Sequence, residues 1–210
     1  MAWRDRQAVR EQYVTWYDED EAARYDAKPG HGISLEEEAA LLADMKDVVD
    51  LDRTLKVLDV GAGTGIFSRV LASLPGLEVN ALEPSPAMLA RLRTKLPGIT
   101  SREGFTDAAE DAVHFCAGEF DVVISRQVVC GLYDPLQAFE NWRLWLKPGD
   151  KVVVIDGLFS REAWSGKWSV IADKLPLSGV QTPALTPYLL ERAGFDIRCV
   201  DWLIVQRNGK

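Results

Sequence analysis

The chain has 210 residues, 47% of them hydrophobic and 27% charged, and carries a formal net charge of −8 at pH 7. This length and composition suit one globular domain with its own core and argue against a disordered segment. The acidic balance opposes binding to a phosphate backbone or an anionic membrane surface, so neither nucleic acid nor membrane is an expected partner.

From Trp3 to Tyr25 charged and aromatic residues alternate without the apolar centre of a signal peptide, and no later apolar run approaches membrane-spanning length. Cys116, Cys130 and Cys199 are odd in number and far apart, which points to a reducing, cytoplasmic setting and to neither a disulfide framework nor a zinc cluster. No metal site is expected. Ser34 to Glu37 reads as a capping box, and Leu35, Leu41, Leu42, Met45, Val48 and Val49 follow at helical spacing. Leu55 to Val60 reads as a strand, Gly61, Gly63 and Gly65 as a tight turn, and Ile66 to Leu74 as a helix stopped by Pro75-Gly76.

The pattern repeats with a strand over Leu77 to Leu82, a helix over Ala87 to Leu96 and a weaker strand over Ile99 to Arg102. Phe120 to Ile124 is the fourth strand. Asp134-Pro135 supplies an N-cap and an N1 proline for a helix that runs to Lys147-Pro-Gly-Asp150, and Val152 to Ile155 is the fifth strand. Strands alternating with helices at this spacing predict an α/β fold, a doubly wound and mostly parallel sheet with helices on both faces. Residues 157–185 interrupt the alternation and carry Trp164 and Trp168; Thr186-Pro187 then opens a last helix ending at Gly194. Phe195 to Gln206 looks extended, and Asn208-Gly209 is a hairpin signal one residue before the end. Two accounts fit: a truncated terminal antiparallel strand, or two short strands joined within Phe195 to Gln206.

Val57-Leu-Asp-Val-Gly-Ala-Gly-Thr-Gly65 places an acid, Asp59, near the end of a buried strand and a glycine turn before a helix. Such a turn lets backbone approach a ligand closely and presents unpaired N–H groups at the helix start. A dinucleotide fingerprint wants its third glycine one position later, where Ile66 stands, and has no use for Asp59. Glu83, about twenty residues on at the end of the second strand, suits a ribose diol in either cofactor class.

These nine residues, followed by Glu83-Pro84-Ser85, Thr106-Asp107-Ala108, Phe120-Asp121-Val-Val-Ile124 and Leu146-Lys-Pro-Gly149, resemble the ordered motifs of class I S-adenosylmethionine-dependent methyltransferases. The resemblance spans residues 55 to 156 or so and is strongest to the small-molecule, methyltransferase type 11 branch. It implies S-adenosyl-L-methionine as cofactor and a Rossmann-like fold. It places the turn of Gly61, Ala62, Gly63, Thr64 and Gly65 along the methionine portion, Asp59 near the amino group, Glu83 with Pro84 at the ribose and Met88 near the adenine. It points to Thr106, Asp107 and Ala108 at the adenine amine, although the commonest spacing back from Phe120-Asp121 lands nearer Glu110 or Asp111. Tyr25 beside Asp26 matches the family's lid over the cofactor.

By the same resemblance, residues 1–50 form an N-terminal helical lid, 51–156 the cofactor-binding core, 157–185 an insertion near the substrate site and 186–210 a final helix and strand, all within one domain. Ser125, Arg126 and Gln127 follow the fourth strand and should lie beside the reactive methyl group. Tyr17, Gln127, Trp164 and Trp168 are the expected acceptor contacts; on a helix Trp164 and Trp168 would share one face.

A sulfonium is already activated for in-line displacement, so the protein's main task is alignment of the acceptor and exclusion of water. An acceptor hydroxyl or ammonium would also need a base. Of the two histidines, His31 in Pro29-Gly-His-Gly32 is the candidate, with a solvent-exposed loop residue as the plain alternative, and His114 lies in a loop. The expected function is methyl transfer from S-adenosylmethionine to a small molecule with an oxygen or nitrogen acceptor. A nicotinamide-dependent oxidoreductase is the first rival, weakened because no tyrosine is followed four residues later by lysine. A non-catalytic cofactor-binding module acting through a partner is the second. Monomer and homodimer both stay open.

Overall fold

The structure is a computed structural model that describes residues 2–28, 32–50, 53–157, 166–179 and 182–201. Its centre is a five-stranded, all-parallel sheet of β1 (Leu55–Val60), β2 (Leu77–Glu83), β3 (Thr100–Glu103), β4 (Phe120–Arg126) and β5 (Leu146–Ile155), in the order β3-β2-β1-β4-β5. The expected doubly wound α/β architecture is present. β1 and β4 are buried along nearly their whole length because a central parallel strand is covered on both faces.

Side-chain alternation divides β1 between two cores. Leu55 and Val57 pack with α3 (Leu35–Val48) and α4 (Ile66–Ala72) through Leu41, Met45, Phe67 and Leu71. Leu58 and Val60 face the other way, toward α6 (Pro135–Trp145) and α8 (Leu185–Arg192), whose Phe139, Trp142 and Leu190 join the second core. Asp59 keeps the period of Leu55 and Val57 and so points at α4, where the Ser68 hydroxyl donates to its Oδ2 at 2.6 Å. Between β2 and β3 runs α5 (Pro86–Lys95), N-capped by Ser85, whose Oγ accepts from Met88 N at 3.2 Å.

The local start signals act as read: Ser34 and Glu37 form a reciprocal capping box, and Asp134 caps α6 with Pro135 at N1. Two elements ahead of the sheet, α1 (Ala2–Trp16) and α2 (Glu19–Tyr25), carry the aromatic N-terminal stretch. A short α7 (Ser169–Ala172) follows the 3₁₀ turn Gly166–Trp168.

Some expectations change. Lys147 to Asp150 does not stand outside the fifth strand: β5 already pairs at Leu146 with Phe120, and a register shift before Val122 absorbs the four residues, with Gly149 at φ +86°. The last helix begins at Leu185, not at Thr186-Pro187; Pro187 is tolerated in the first turn, where N–H groups have no intrahelical acceptor. Residues 195–201 form no strand, because Phe195 and Ile197 pack on the α6 and α8 core instead of adding a ladder to the sheet. The Asn208-Gly209 signal, like Gln206, lies outside the described residues. Among the described residues no helix is long and apolar enough to cross a membrane.

Candidate active site

Strand order reverses between β1 and β4, and in open α/β sheets the crevice beyond the carboxyl ends of such strands is the natural ligand site. A cavity of about 440 Å³ occupies it, closed on the outer side by α1 and α2.

Its floor is the turn after β1. Gly61 and Ala62 N–H donate to Leu82 O at 2.8 and 3.1 Å, which ties the turn to β2. Gly61 sits at φ +70°, and a Cβ there would overlap Val128 Cγ2; Gly65 sits at φ +85°, and a Cβ would lie 2.9 Å from Leu92 Cγ. Both positions therefore require glycine, the first for approach to the β4 loop and the second for packing α4 against α5. Thr64 Oγ1 donates to Asp26, which also takes Lys95 Nζ at 2.6 Å, so the end of α2 is fastened to the turn and to α5.

Two buried carboxyls flank this turn. Glu83 accepts Gly63 N–H on Oε2 and Ser85 N–H on Oε1, both at 2.8 Å. Burial pushes its pKa up to about 7 against those two bonds, with Asp59 adding to the rise. Burial likewise pushes Asp59 up to about 7, opposed by the Ser68 hydrogen bond and the charge of Arg126.

The opposite wall is aromatic. Tyr13 and Tyr17 stack with ring centroids 4.7 Å apart, Tyr17 meets Tyr25 at 6.0 Å and Trp168 at 6.1 Å, and Tyr13 meets Phe105 at 6.0 Å. Burial first, then the carboxylate of Glu83, raises the Tyr13 phenol; burial and Tyr25 raise that of Tyr17, and burial takes Tyr25 up to about 12. Arg10 of α1 lies 4.6 Å from the Phe105 ring centre, donates to Asp107 Oδ1 at 2.7 Å and also pairs with Asp111. Burial lowers the Arg10 pKa, but the bonds to the two aspartates outweigh it and the net shift is upward. Ser85 Oγ donates to Tyr17 O at 2.6 Å, a further tie between these helices and the core.

The structure brings most of the sequence-derived residues to one cavity: Asp59, Gly61, Ala62, Gly63, Thr64, Glu83, Pro84, Met88, Thr106, Asp107, Arg126, Gln127, Tyr17, Tyr25 and Trp168 line it. Gly65 does not, because it is the N-cap of α4 and faces Leu92 and Leu96. Ala108 is buried behind the wall, where its N–H donates to Asp111 Oδ2 at 2.9 Å. Ser125 is fully buried within β4, and among the described residues its Oγ has no hydrogen-bond partner. His31 and Trp164 lie outside the described residues. His114 packs against Gly104 away from the cavity, and burial, with the charge of Arg102, lowers its pKa.

Of the alternative acids, Asp107 reaches the cavity, whereas Asp111 is held by Ala108 N–H and Arg10, and Glu110 pairs with Arg6. The loop is positioned by α6: Asn141 Nδ2 donates to Thr106 O and Ala108 O, and Trp142 Nε1 to Thr106 Oγ1 at 2.6 Å. Sequence reasoning missed Arg10, Tyr13, Phe105 and Cys130. The first two share a face of α1 with Tyr17 at helical spacing, a signal that was available; nothing local announced Phe105 or Cys130. Among the described residues no group of three or more His, Cys, Asp or Glu is arranged to hold a metal ion.

Residues 58–154 match the methyltransferase domain family of type 11. Residues 58–154 thus carry a methyltransferase domain of this type. The chain is 34% identical over 113 residues to a demethylmenaquinone methyltransferase of Chlorobaculum parvum, covering 54% of the chain and 45% of that enzyme. It is 37% identical over 102 residues to a ubiquinone biosynthesis O-methyltransferase of Cereibacter sphaeroides, covering 47% of the chain and 40% of the relative. The chain thus spans less than half the length of these curated relatives. Among solved structures, Haemonchus contortus phosphoethanolamine N-methyltransferase 2 in complex with S-adenosyl-L-methionine superposes with a TM-score of 0.69 at 21% identity, over 89% of this chain and 44% of that one. A SAM-dependent methyltransferase from Aquifex aeolicus gives 0.61 at 19% identity, over 84% and 88%. The structural likeness shows the shared methyltransferase fold.

Proposed function

We propose that this chain is an enzyme that transfers the methyl group of S-adenosyl-L-methionine to a small-molecule acceptor. The observation that carries the reading is the pair of buried carboxyls, Asp59 and Glu83, on either side of the Gly61–Gly65 turn in a cavity with an aromatic far wall. The residues fit the ligand. After its two backbone bonds each Glu83 oxygen keeps acceptor capacity, which suits a ribose diol. Asp59, held partly neutral by burial, gains most from a cation placed beside it, as an amino-acid ammonium would be. Gly61 lets the turn lie against Val128, where a Cβ would overlap, and so holds the turn in the shape that borders the cavity.

When bound, S-adenosyl-L-methionine supplies a methyl group activated on a sulfonium. The chain's own task is to hold and align. Met88 and Pro84 pack on the adenosyl side, Asp107 takes the adenine amine while sharing its charge with Arg10, and α1 and α2 exclude water. Tyr17, Gln127 and Trp168 meet the acceptor. A demethylmenaquinone methyltransferase, a ubiquinone biosynthesis O-methyltransferase and a phosphoethanolamine N-methyltransferase among the similar proteins support a small-molecule acceptor. Three free, separated cysteines support a reducing, cytoplasmic setting.

Calorimetric titration with S-adenosylmethionine, S-adenosylhomocysteine and NADH tests the proposal. Both adenosyl ligands are expected to bind at micromolar Kd, about −8 kcal/mol, with no heat from NADH. Binding of NADH without the adenosyl ligands would overturn it.

A further inference from the structure

Resting on the methyl-transfer reading, we propose that Gly131 is a specificity-determining residue: its missing side chain keeps open a subsite that takes an apolar, ring-sized part of the acceptor.

Among the described residues four glycines line the cavity, and for three of them backbone conformation or packing accounts for the residue. Gly61 and Gly63 adopt φ +70° and +57°, and a Cβ on Gly104 would lie 2.4 Å from His114 Cε1. Gly131 has neither reason. Its φ lies outside the left-handed region, and among the described residues a Cβ built on it would meet no atom within 4 Å. Alanine at such a position ordinarily stabilises a chain, because it narrows the unfolded ensemble without straining the fold. Gly131 forgoes that gain while lying half-buried at the cavity, so the room beside it is what the glycine preserves.

The wall that carries Gly131 is firmly held. Gly131 ends the 3₁₀ turn Val129–Gly131, in which its N–H donates to Val128 O at 2.9 Å and Leu132 N–H donates to Val129 O at 3.3 Å. Asp156, the residue after β5, accepts Cys130 N–H on Oδ2 at 3.2 Å and Gly157 N–H on Oδ1 at 2.9 Å. Asp107 takes Tyr133 N–H at 2.9 Å, and Val128 lies where a Cβ on Gly61 would fall. Val129 and Leu132 are buried in the core shared with α6. A turn anchored at both ends and from below does not swing aside for a larger side chain, so the residue at 131 sets how much room is left.

The surroundings of that room are apolar. Cys130 and Leu132 line the cavity on either side of Gly131, and Cys130 packs in a cluster with Val9, Ile171 and Trp168. The cluster joins the turn to α1 and to the Trp168 segment, the aromatic far wall, whereas Glu83 and Met88 border the cavity from β2 and α5. The subsite therefore lies on the acceptor side. An apolar ring gains there by leaving water and by contact with the rings of Tyr17 and Trp168. In a pocket of fixed shape a few added atoms discriminate by size, so a side chain at 131 should exclude a large ligand more than a small one.

The test uses the whole chain saturated with S-adenosylhomocysteine and titrated with phenol and with 2-naphthol, followed by ligand-observed NMR, in the wild type, Gly131→Ala and Gly131→Leu. The wild type is expected to bind 2-naphthol more tightly than phenol. Gly131→Leu should weaken 2-naphthol at least about tenfold and phenol less than about threefold, and Gly131→Ala should show the same order with a smaller 2-naphthol loss. S-adenosylhomocysteine affinity should stay within about twofold in both variants, and the melting temperature of Gly131→Ala should equal or exceed that of the wild type. No preference for 2-naphthol in the wild type, equal losses for both probes, no loss in Gly131→Leu, a weakened S-adenosylhomocysteine or a lower melting temperature for Gly131→Ala each overturns the proposal. If Gly131→Leu does not fold, Gly131→Ala decides on the same readings. Failure of S-adenosylhomocysteine to bind the wild type is a different result and counts against the methyl-transfer reading.

Discussion

At the glycine-turn end of the cavity the polar contacts join β1 and β2 to segments close by in sequence: Glu83 takes N–H bonds from Gly63 and Ser85, and Asp59 takes the Ser68 hydroxyl. The opposite wall is assembled from distant parts of the chain, with Arg10 reaching Asp107 and Tyr17 meeting Trp168. The first end is held by strands that share two packed cores, so its geometry is fixed before any ligand arrives. The second depends on α1 and α2 docking through a few ion pairs and ring contacts. One end is suited to a constant ligand and the other to one that must enter, react and leave.

Glu83→Ala should break the fixed end most severely. It removes the acceptor of two N–H groups, each worth about 1–3 kcal/mol when left buried and unpaired, and it deletes the proposed ribose contact. Calorimetry is expected to show S-adenosylhomocysteine affinity reduced by about a hundredfold or more, roughly 3 kcal/mol.

Asp121→Asn separates fold from site. Asp121, at the start of β4, accepts Lys56 N–H, Arg53 and Lys147 at 2.8–2.9 Å, far from the cavity. Burial works to raise its pKa, yet the Lys147, Lys56 and Arg53 bonds bring it below the usual carboxylate value. Because both cations are about half exposed, denaturation is expected to show only about 1–3 kcal/mol lost, with ligand affinity within about twofold of wild type. An affinity loss as large as that of Glu83→Ala would erase the distinction.

Arg10→Ala addresses the assembled wall. It leaves Asp107 and Asp111 without their shared cation, and undocking of α1 limits the cost because water can then reach both. The expected outcome is faster amide exchange confined to α1 and α2 and about a tenfold weaker ligand affinity. Global loosening would mean that these helices belong to the same cooperative unit as the sheet.

The smallest effect is on pH dependence. Asp59 and Glu83 keep protons up to about 7 in the folded chain, whereas unfolded carboxyls lose them near 3.8 and 4.5. Between those limits the folded state binds more protons, so the contribution of these two groups to stability falls as pH rises and levels off above about 7. A ligand ammonium beside Asp59 favours the carboxylate, so S-adenosylhomocysteine affinity should rise with pH through the same window. Asp59→Asn should flatten both slopes; unchanged slopes would remove Asp59 from the account.

What was legible in the sequence follows the same division. The glycine turn, Asp59, Glu83 and the caps at Ser34 and Asp134 are local features, set by backbone conformation and strand ends. Arg10 shares the helical spacing of Tyr13 and Tyr17, but its role was not legible from that alone, because its partners, Asp107 and Asp111, follow about a hundred residues later and meet it only through tertiary packing. The register shift at Leu146 to Lys151 and the 3₁₀ segment Ala109–His114 also lack a local signature. Thr106 to Ala108 was found through the resemblance, but only the bonds from Asn141 and Trp142 explain why that loop presents Asp107 and withholds Ala108.

The most direct test of the central claim is a crystal structure of the chain with S-adenosylhomocysteine. The account predicts ribose hydroxyls on the Glu83 carboxylate, the homocysteine amino group beside Asp59 and the sulfur facing Arg126 across the Gly61–Gly65 turn. An adenosyl ligand seated elsewhere, or one that leaves Glu83 and Asp59 without contact, would contradict it.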